Sequence, residues 1–206
     1  MTRTTSSERK AGNMTVSLSK GQKVSLEKSG GGSLSRVRMG LGWDAMKKKG
    51  LFGGLKDQSI DLDASALLFD SGGNLVDQVW FQQLDSKDGS IHHTGDNRTG
   101  AGDGDDESIQ VDLSRVPANV TTLVFTVNSF TGQNFSQIEN AFCRMVDETA
   151  GDAEIAKYSL TGSGAHTAQI MAKVSRDGSG WAMTALGIPA SGRTFHDLLP
   201  ALAGQV

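Results

Sequence analysis

Apolar residues along this chain come in short alternating runs separated by Gly, Asp and Ser, a spacing that predicts many strands. The opening TVSLSKGQKVSLEK reads as two short strands on either side of Lys20-Gly21-Gln22-Lys23. Across 34–44, Val37, Met39, Leu41 and Trp43 fall on one face of a strand. The most informative run is IDLDASALLFD, residues 60–70. Ile60, Leu62, Ala64, Ala66 and Leu68 share one face, and Asp61, Asp63, Ser65, Leu67 and Phe69 share the other. The second face begins acidic and ends apolar. Such a strand is covered on both faces and emerges at an edge where two carboxylates point the same way.

Ser71-Gly72-Gly73-Asn74 turns the chain into LVDQVWFQQL, and 109–113 and 119–129 continue the strand pattern with β-branched residues. One helix is predicted at 136–142, where Ser136 and Glu139 make a capping-box pattern and Phe135, Ile138 and Phe142 share a face. CRMVD, EIAKYSL and AQIMAKVSRDGSGWAMTALG are further strands, the last a hairpin turning at Asp177-Gly178-Ser179-Gly180. A short helix is expected near 194–202. The sum is a mainly β protein, a two-sheet β-sandwich with one or two short helices and no internal repeat. Its expected organisation is a disordered polar arm at 1–13, a sandwich domain at 14–193 and a tail at 194–206. Met14 reads equally well as a start.

The formal net charge of −3 hides an asymmetry: residues 96–107 carry five acids and one base, which leaves the rest of the chain at +1. The acidity is a local device. Nucleic acid is excluded as a partner on this reading, because phosphate binding needs a concentrated basic face. Cys143 is the only cysteine, so neither a disulfide framework nor a Cys-based zinc site can close. The apolar runs are too short to insert in a membrane as helices, and the N-terminus lacks a secretory core, so a cytoplasmic protein is expected.

The stretch HHTGDNRTGAGDGDDE, starting at His92, concentrates carboxylates that repel one another. A hard cation resolves the crowding. Calcium takes six to eight oxygens from carboxylates, backbone carbonyls and water in a flexible cage. Interleaved Gly lets carbonyls turn inward, and Asn and Thr add neutral oxygens. Zinc and copper favour His or Cys, which 96–107 lacks. If this loop packs over the edge that bears Asp61 and Asp63, then Asp96, Asp103, Asp105, Asp106 and Glu107 converge on them. Asp44 in GLGWDA adds a carboxylate from another strand end. Eight carboxylates exceed the need of one ion, so two neighbouring ions sharing ligands are expected. The loop is not an EF-hand: counted from Asp103, the Gly position holds Ser108 and the closing Glu position holds Ser114.

Other features carry plainer readings. His92 and His93 are adjacent, face opposite ways on a strand and cannot both grip one ion. The lysines of MKKKGLFGGLK, 46–56, solvate a loop; Trp43, Trp80 and Trp181 belong to the core; Arg98 pairs with a carboxylate of its own loop; Cys143 is a small core residue. No serine sits in a nucleophile motif and no phosphate-loop signature is present.

Four separated stretches occur together in order: MTVSLSKGQKVSL at 14–26, GLGWDA at 40–45, IDLDASALL at 60–68 and HHTGDNRTGAGDGDDESIQVDL at 92–113, followed by VNSF and NFSQIENAFCRMVD. In this combination the chain resembles the TerD family of tellurium-resistance and stress-response proteins, from Met14 to the early 190s. The resemblance implies a non-catalytic, cytoplasmic β-sandwich whose acidic loops hold two adjacent Ca2+ ions. It also implies unknown protein partners, with a membrane-associated stress complex as the setting. Carried over residue by residue, the metal ligands it implies are Asp61 and Asp63 of the DLD pair and Asp96, Asn97, Gly100, Asp103, Asp105, Asp106 and Glu107 of the GDNRTG-GDGDDE motif. Asp44 matches the aspartate of GWDA. The polar arm and the C-terminal SGRTFHDLLPALAGQV match no family motif. The competing class is a hydrolase or phosphotransfer enzyme that holds Mg2+ on the same carboxylates. A purely structural interaction domain is the third.

Overall fold

The computed structural model describes residues 16–17, 19–28, 31–44, 46–49, 55–100, 104–161 and 163–206. The expected arm at 1–13 lies outside the described residues. In chain order the strands are β1 Val16–Ser17, β2 Lys23–Ser25, β3 Arg36–Asp44, β4 Met46–Lys49, β5 Leu55–Gln58, β6 Leu62–Phe69 and β7 Leu75–Val79. They continue with β8 Ile91–His93, β9 Glu107–Asp112, β10 Thr122–Ser129, β11 Glu139–Asp147, β12 Ala153–Ser159, β13 Ala168–Asp177 and β14 Gly180–Ala190.

Two sheets result. The first runs β1-β12-β11-β3-β9-β8 and the second β2-β14-β13-β10-β6-β7. Pairing is antiparallel except where β1 lies parallel to β12. The inward positions of both sheets build one core: Val37, Met39, Leu41 and Trp43 from β3 meet Leu62, Ala64, Ala66 and Leu68 from β6, with Phe125, Met171 and Trp181. β6 has both faces covered, as its pattern predicts. Its even positions enter this core, whereas Leu67 and Phe69 join a second cluster on the far side of the sheet with Val124, Ile170 and Leu186.

The cover on that far side comes from the C-terminus. A 3-10 turn at Phe195–Leu198 runs into the short helix α1, Leu199–Leu202, and Phe195, Leu198 and Leu202 are buried there. Asp197 starts this segment by accepting the backbone N–H groups of Arg193 and Thr194, which satisfies donors a helix start leaves open. The hairpin turn at 177–180 joins β13 to β14, with Gly178 at φ 59°. No described helix is long and apolar enough to cross a membrane.

Two expectations are corrected. Residues 136–142 are not a helix: β11 begins at Glu139, and Ala141, Cys143 and Met145 alternate into the core. The chain entering β11 is tied to a distant segment, Phe135 N–H donating to the His166 carbonyl and Ser136 N–H to the Gly164 carbonyl. Asn140, at φ 51°, then breaks the register between Glu139 and Phe142. A central partner for β3 outweighs the local helical pattern. The lysine-rich 46–56 stretch likewise pairs as a β4–β5 hairpin where a loop is read, with 50–54 outside the described residues. A run of charges carries no alternation from which backbone pairing could be read.

Candidate metal centre

Asp61 and Asp63 project from the start of β6 on the side opposite Leu62 and Ala64. Both are buried. Residues 94–100, which follow β8, come down on this edge and bring Asp96 with them. Carboxylate oxygens of Asp61, Asp63 and Asp96 lie within 4.8 Å of one another. Asp61 Oδ1 and Asp63 Oδ2 are buried and accept no hydrogen bond.

The loop is held by its own polar side chains. Asn97 Oδ1 accepts the N–H groups of Thr99 (3.1 Å) and Gly100 (3.2 Å), while its Nδ2 donates to Asp106 Oδ1 at 2.8 Å. Asp106 Oδ2 accepts the Trp43 N–H at 2.9 Å, which ties the loop to the end of β3. Glu107, 1% exposed, accepts the N–H of Ala64 at 2.9 Å and that of Asn97 at 3.1 Å. It therefore joins β9, β6 and the loop at one carboxylate. Beneath it, His93 is fully buried: its Nδ1 accepts the Gly95 N–H at 3.1 Å, which leaves the proton on Nε2, 3.4 Å from Glu107 Oε2. That separation makes an electrostatic contact rather than a hydrogen bond. His92 faces outward to Asp85, so the two histidines do point apart.

Gly100 is a position only glycine fits. It has φ 64°, and a Cβ there would sit 2.4 Å from Trp43 Nε1. That indole N–H donates to the Ile60 carbonyl at 2.9 Å, so the ring cannot swing aside without breaking a buried bond next to Asp61. Gly100→Ala is expected to cost about 1–3 kcal/mol from the left-handed backbone together with the clash. A urea titration of the chelator-treated protein measures it, and an unchanged midpoint would refute this packing.

The remaining expected ligands divide. Asp44 is exposed at the end of β3, accepts from Asn140 Nδ2 at 2.5 Å, and its charge is among the influences raising Asp106. Asp105 lies on the outer face of the first sheet, over Gly40, where Arg144 Nε donates to it at 2.7 Å and Arg38 forms a second, short ion pair. Asp103 lies outside the described residues. Arg98 makes no ion pair with a described carboxylate; it acts on Asp61 through its nearby charge. Sequence reasoning missed the Arg38–Arg144 clamp. The outward positions of β3 and β11 hold both arginines, and only the strand pairing of Arg144 with Gly40 shows that a glycine leaves room for Asp105 between them.

The carboxylates pay a common electrostatic penalty. Burial, then Glu107, Asp61 and Asp96, push Asp63 up to about 8. Burial and the Asp96 charge raise Asp61 against the pull of Arg98. Asp106 is raised by burial, and Glu107 is raised by burial despite the nearby His93 ring and the N–H donors of Ala64 and Asn97. Without a cation Asp63 holds its proton at neutral pH. An oxygen-only donor set with orphaned buried acceptors fits a hard divalent cation.

Cys143 is buried, and burial followed by the Asp105 charge pushes its thiol up to about 12. It is not a reactive thiolate at neutral pH.

A two-sheet sandwich that gathers acidic oxygens where the β8–β9 loop meets β6 defines the class: a mainly β protein with a candidate hard-cation centre. The chain belongs to the TerD family, whose TerD domain matches residues 14–202, a span that takes in the C-terminal turn packed on the second sheet. It is 53% identical to tellurium resistance protein TerZ of Serratia marcescens, over 89% of this chain and 94% of that one. It is 41% identical to general stress protein 16U of Bacillus subtilis, over 84% of this chain and 90% of that one. These relatives are named for resistance and stress response and not for an enzymatic activity. A solved homologue of telluride resistance protein from Streptomyces coelicolor A3(2) shares the fold, with a TM-score of 0.67 at 21% identity over 83% of this chain and 96% of that one.

Proposed function

We propose that this chain is a non-catalytic calcium-binding protein that acts in tellurite resistance and the general stress response. The observation that carries the reading is the pair of buried, donor-free oxygens, Asp61 Oδ1 and Asp63 Oδ2, in one group with Asp96. A cation there replaces the protons that repulsion otherwise demands. Asp61, Asp63 and Asp96 would hold one Ca2+. Asp106 and Asp44, whose charges already oppose each other, would hold a second with Asp103, while Asn97 and Gly100 shape the loop between them. Asp105, held by two arginines, and Glu107, fully buried, serve as scaffold, whereas the half-exposed Asp106 keeps a lone pair free on each oxygen beside its bonds to Asn97 and Trp43. Calcium then orders the loop and cancels a strong local field, which presents an edge for protein partners, consistent with a cytoplasmic stress assembly at a membrane. Direct chemistry on tellurite by the lone, buried Cys143 does not fit its raised thiol.

Calorimetric titration of chelator-stripped protein tests this. The expected result is saturable binding of about two Ca2+ that survives excess Mg2+. Asp96→Ala should lower the affinity, whereas Asp105→Asn should leave stoichiometry and affinity in place. Preference for Mg2+ would turn the search to phosphoester hydrolysis on the same carboxylates. No binding of either ion would end the metal reading.

A further inference from the structure

The antiparallel register of β6 and β10 places Asn128 directly opposite Asp63 and Thr126 opposite Ser65. Their core-facing neighbours Ala64 and Val127 are also opposite each other, so Asp63 and Asn128 share the outer face of the second sheet. Side chains in direct register have Cβ atoms about 4.5–5.5 Å apart. Asn128 is fully buried.

The orientation of its amide is determined by chemistry. Asn128 Nδ2 donates to the Gly192 carbonyl at 3.2 Å, and only the nitrogen can donate to a carbonyl. Oδ1 is thereby the free end, and it is buried without any donor. Across the register, Asp63 Oδ2 is in the same condition. Two orphaned acceptors on paired register positions in a buried place are costly once Asp63 is ionised, since each forfeits its hydrogen bonds to water and a carboxylate cannot donate to an amide oxygen. What such a pair lacks is a positive centre between them.

We propose that Asn128 Oδ1 is a further, neutral ligand of the cation held by Asp61, Asp63 and Asp96, and that it favours calcium over magnesium there. The assignment rests on the reading of the centre given above. Calcium accepts neutral amide oxygens alongside carboxylates in an irregular shell of six to eight, whereas magnesium demands a near-ideal octahedron and keeps several waters. A rigid sheet position that inserts an amide oxygen in place of water discriminates in that direction. The other end of the same amide grips Gly192, so the ligand is held from the C-terminal segment that covers the sheet.

The test compares Asn128→Leu with Asn128→Asp, using Ca2+ and Mg2+ titrations and the luminescence lifetime of bound Tb3+ in light and heavy water. Both variants lose the donor to Gly192; only Leu loses the oxygen. If Asn128 is a ligand, Leu weakens Ca2+ binding at least about tenfold, the lower end of what outer partners of a metal alone cost. Asp retains calcium affinity, and the Tb3+ hydration number rises by about one in Leu only, as a water refills the vacated place. Equal losses in both variants, with hydration unchanged, would reduce Asn128 to a positioning residue acting through Gly192 and overturn the assignment. So would affinities that stay within twofold of wild type in both. Failure of the wild-type protein to bind either ion would overturn the centre itself, and this ligand with it.

Discussion

Asp63→Asn is expected to raise the melting temperature of the calcium-free protein at pH 8 and to abolish the further rise that the proposed calcium site should give the wild type. Asp63 is buried 5% exposed, and its carboxyl is pushed from 3.8 to about 8 by burial, Glu107, Asp61 and Asp96. An amide occupies nearly the same volume without the charge, so the repulsion disappears. At about 1.4 kcal/mol per pK unit the relief is of the order of 3 kcal/mol after allowance for coupling within the cluster. For a chain of this size that corresponds to a rise of about 6–12 °C. A variant that melts lower than wild type in chelator, or that still gains stability from calcium, would show that Asp63 is neither the strained group nor a ligand.

The pH dependence follows with a definite sign. Asp63 has a folded value above its unfolded one, so the stability it contributes is fully present below about pH 4 and is lost as pH rises toward 8. Between those limits the unfolded chain has released a proton that the native, metal-free protein keeps. Asp61, Asp106 and Glu107 are raised too and add in the same direction. Asp77 opposes them: against the cost of its burial, the Lys87 N–H and Gln83 hold it down, so its contribution is lost only as pH falls through that lowered value. In chelator the wild type should therefore be more stable near pH 5 than near pH 8. Saturating calcium should flatten that slope, because the ion takes the ionised form, and its binding at neutral pH should release protons, visible as a dependence of calorimetric heat on the buffer's ionisation enthalpy.

The sandwich was legible because its determinants are local and periodic. Val37, Met39, Leu41 and Trp43 announce their face at every second residue, and β6 displays two different coverings in one run of eight residues. The β11 start was illegible for the opposite reason: Phe135 and Ser136 find their acceptors in His166 and Gly164, about thirty residues away in sequence, and no local pattern reports that. The centre divides along the same line. Asp61 and Asp63 could be paired from strand alternation alone, and Asp96 joined them from a loop whose density already called for a cation. What the sequence could not supply was the direction of each carboxylate within that loop. Asp105 and Asp106 are neighbours, yet one turns to Arg38 and Arg144 on the outer face and the other to the Trp43 amide at the sheet end. Composition treats them as equivalent donors, and only the tertiary fold separates their two directions. Asn128 was legible only as one residue of the VNSF stretch and not as a candidate ligand, since an Asn in a strand has no meaning until its cross-strand neighbour is known.

Glu107→Leu should behave in the opposite way to Asp63→Asn, although both remove a buried, raised carboxylate a few ångströms from the same centre. Glu107 accepts from the Ala64 and Asn97 amides and faces the His93 Nε2 proton, so its loss leaves the buried Ala64 N–H and the half-buried Asn97 N–H without acceptors. At about 1–3 kcal/mol for each orphaned donor, less the carboxylate's own desolvation, the net loss is about 2–4 kcal/mol. Denaturant titrations should find that loss alike in chelator and in saturating calcium, because it concerns the joint between β6, β9 and the loop rather than the ion. A loss confined to the calcium-loaded protein would instead make Glu107 a ligand. The substitution also removes the largest charge acting on Asp63, so the surviving site should bind its first calcium with less proton release than the wild type, even as the loop that delivers Asp96 is loosened. Affinity and proton release, which move together when a ligand is lost, should here separate, and that separation identifies a carboxylate that supports a metal centre without touching the metal.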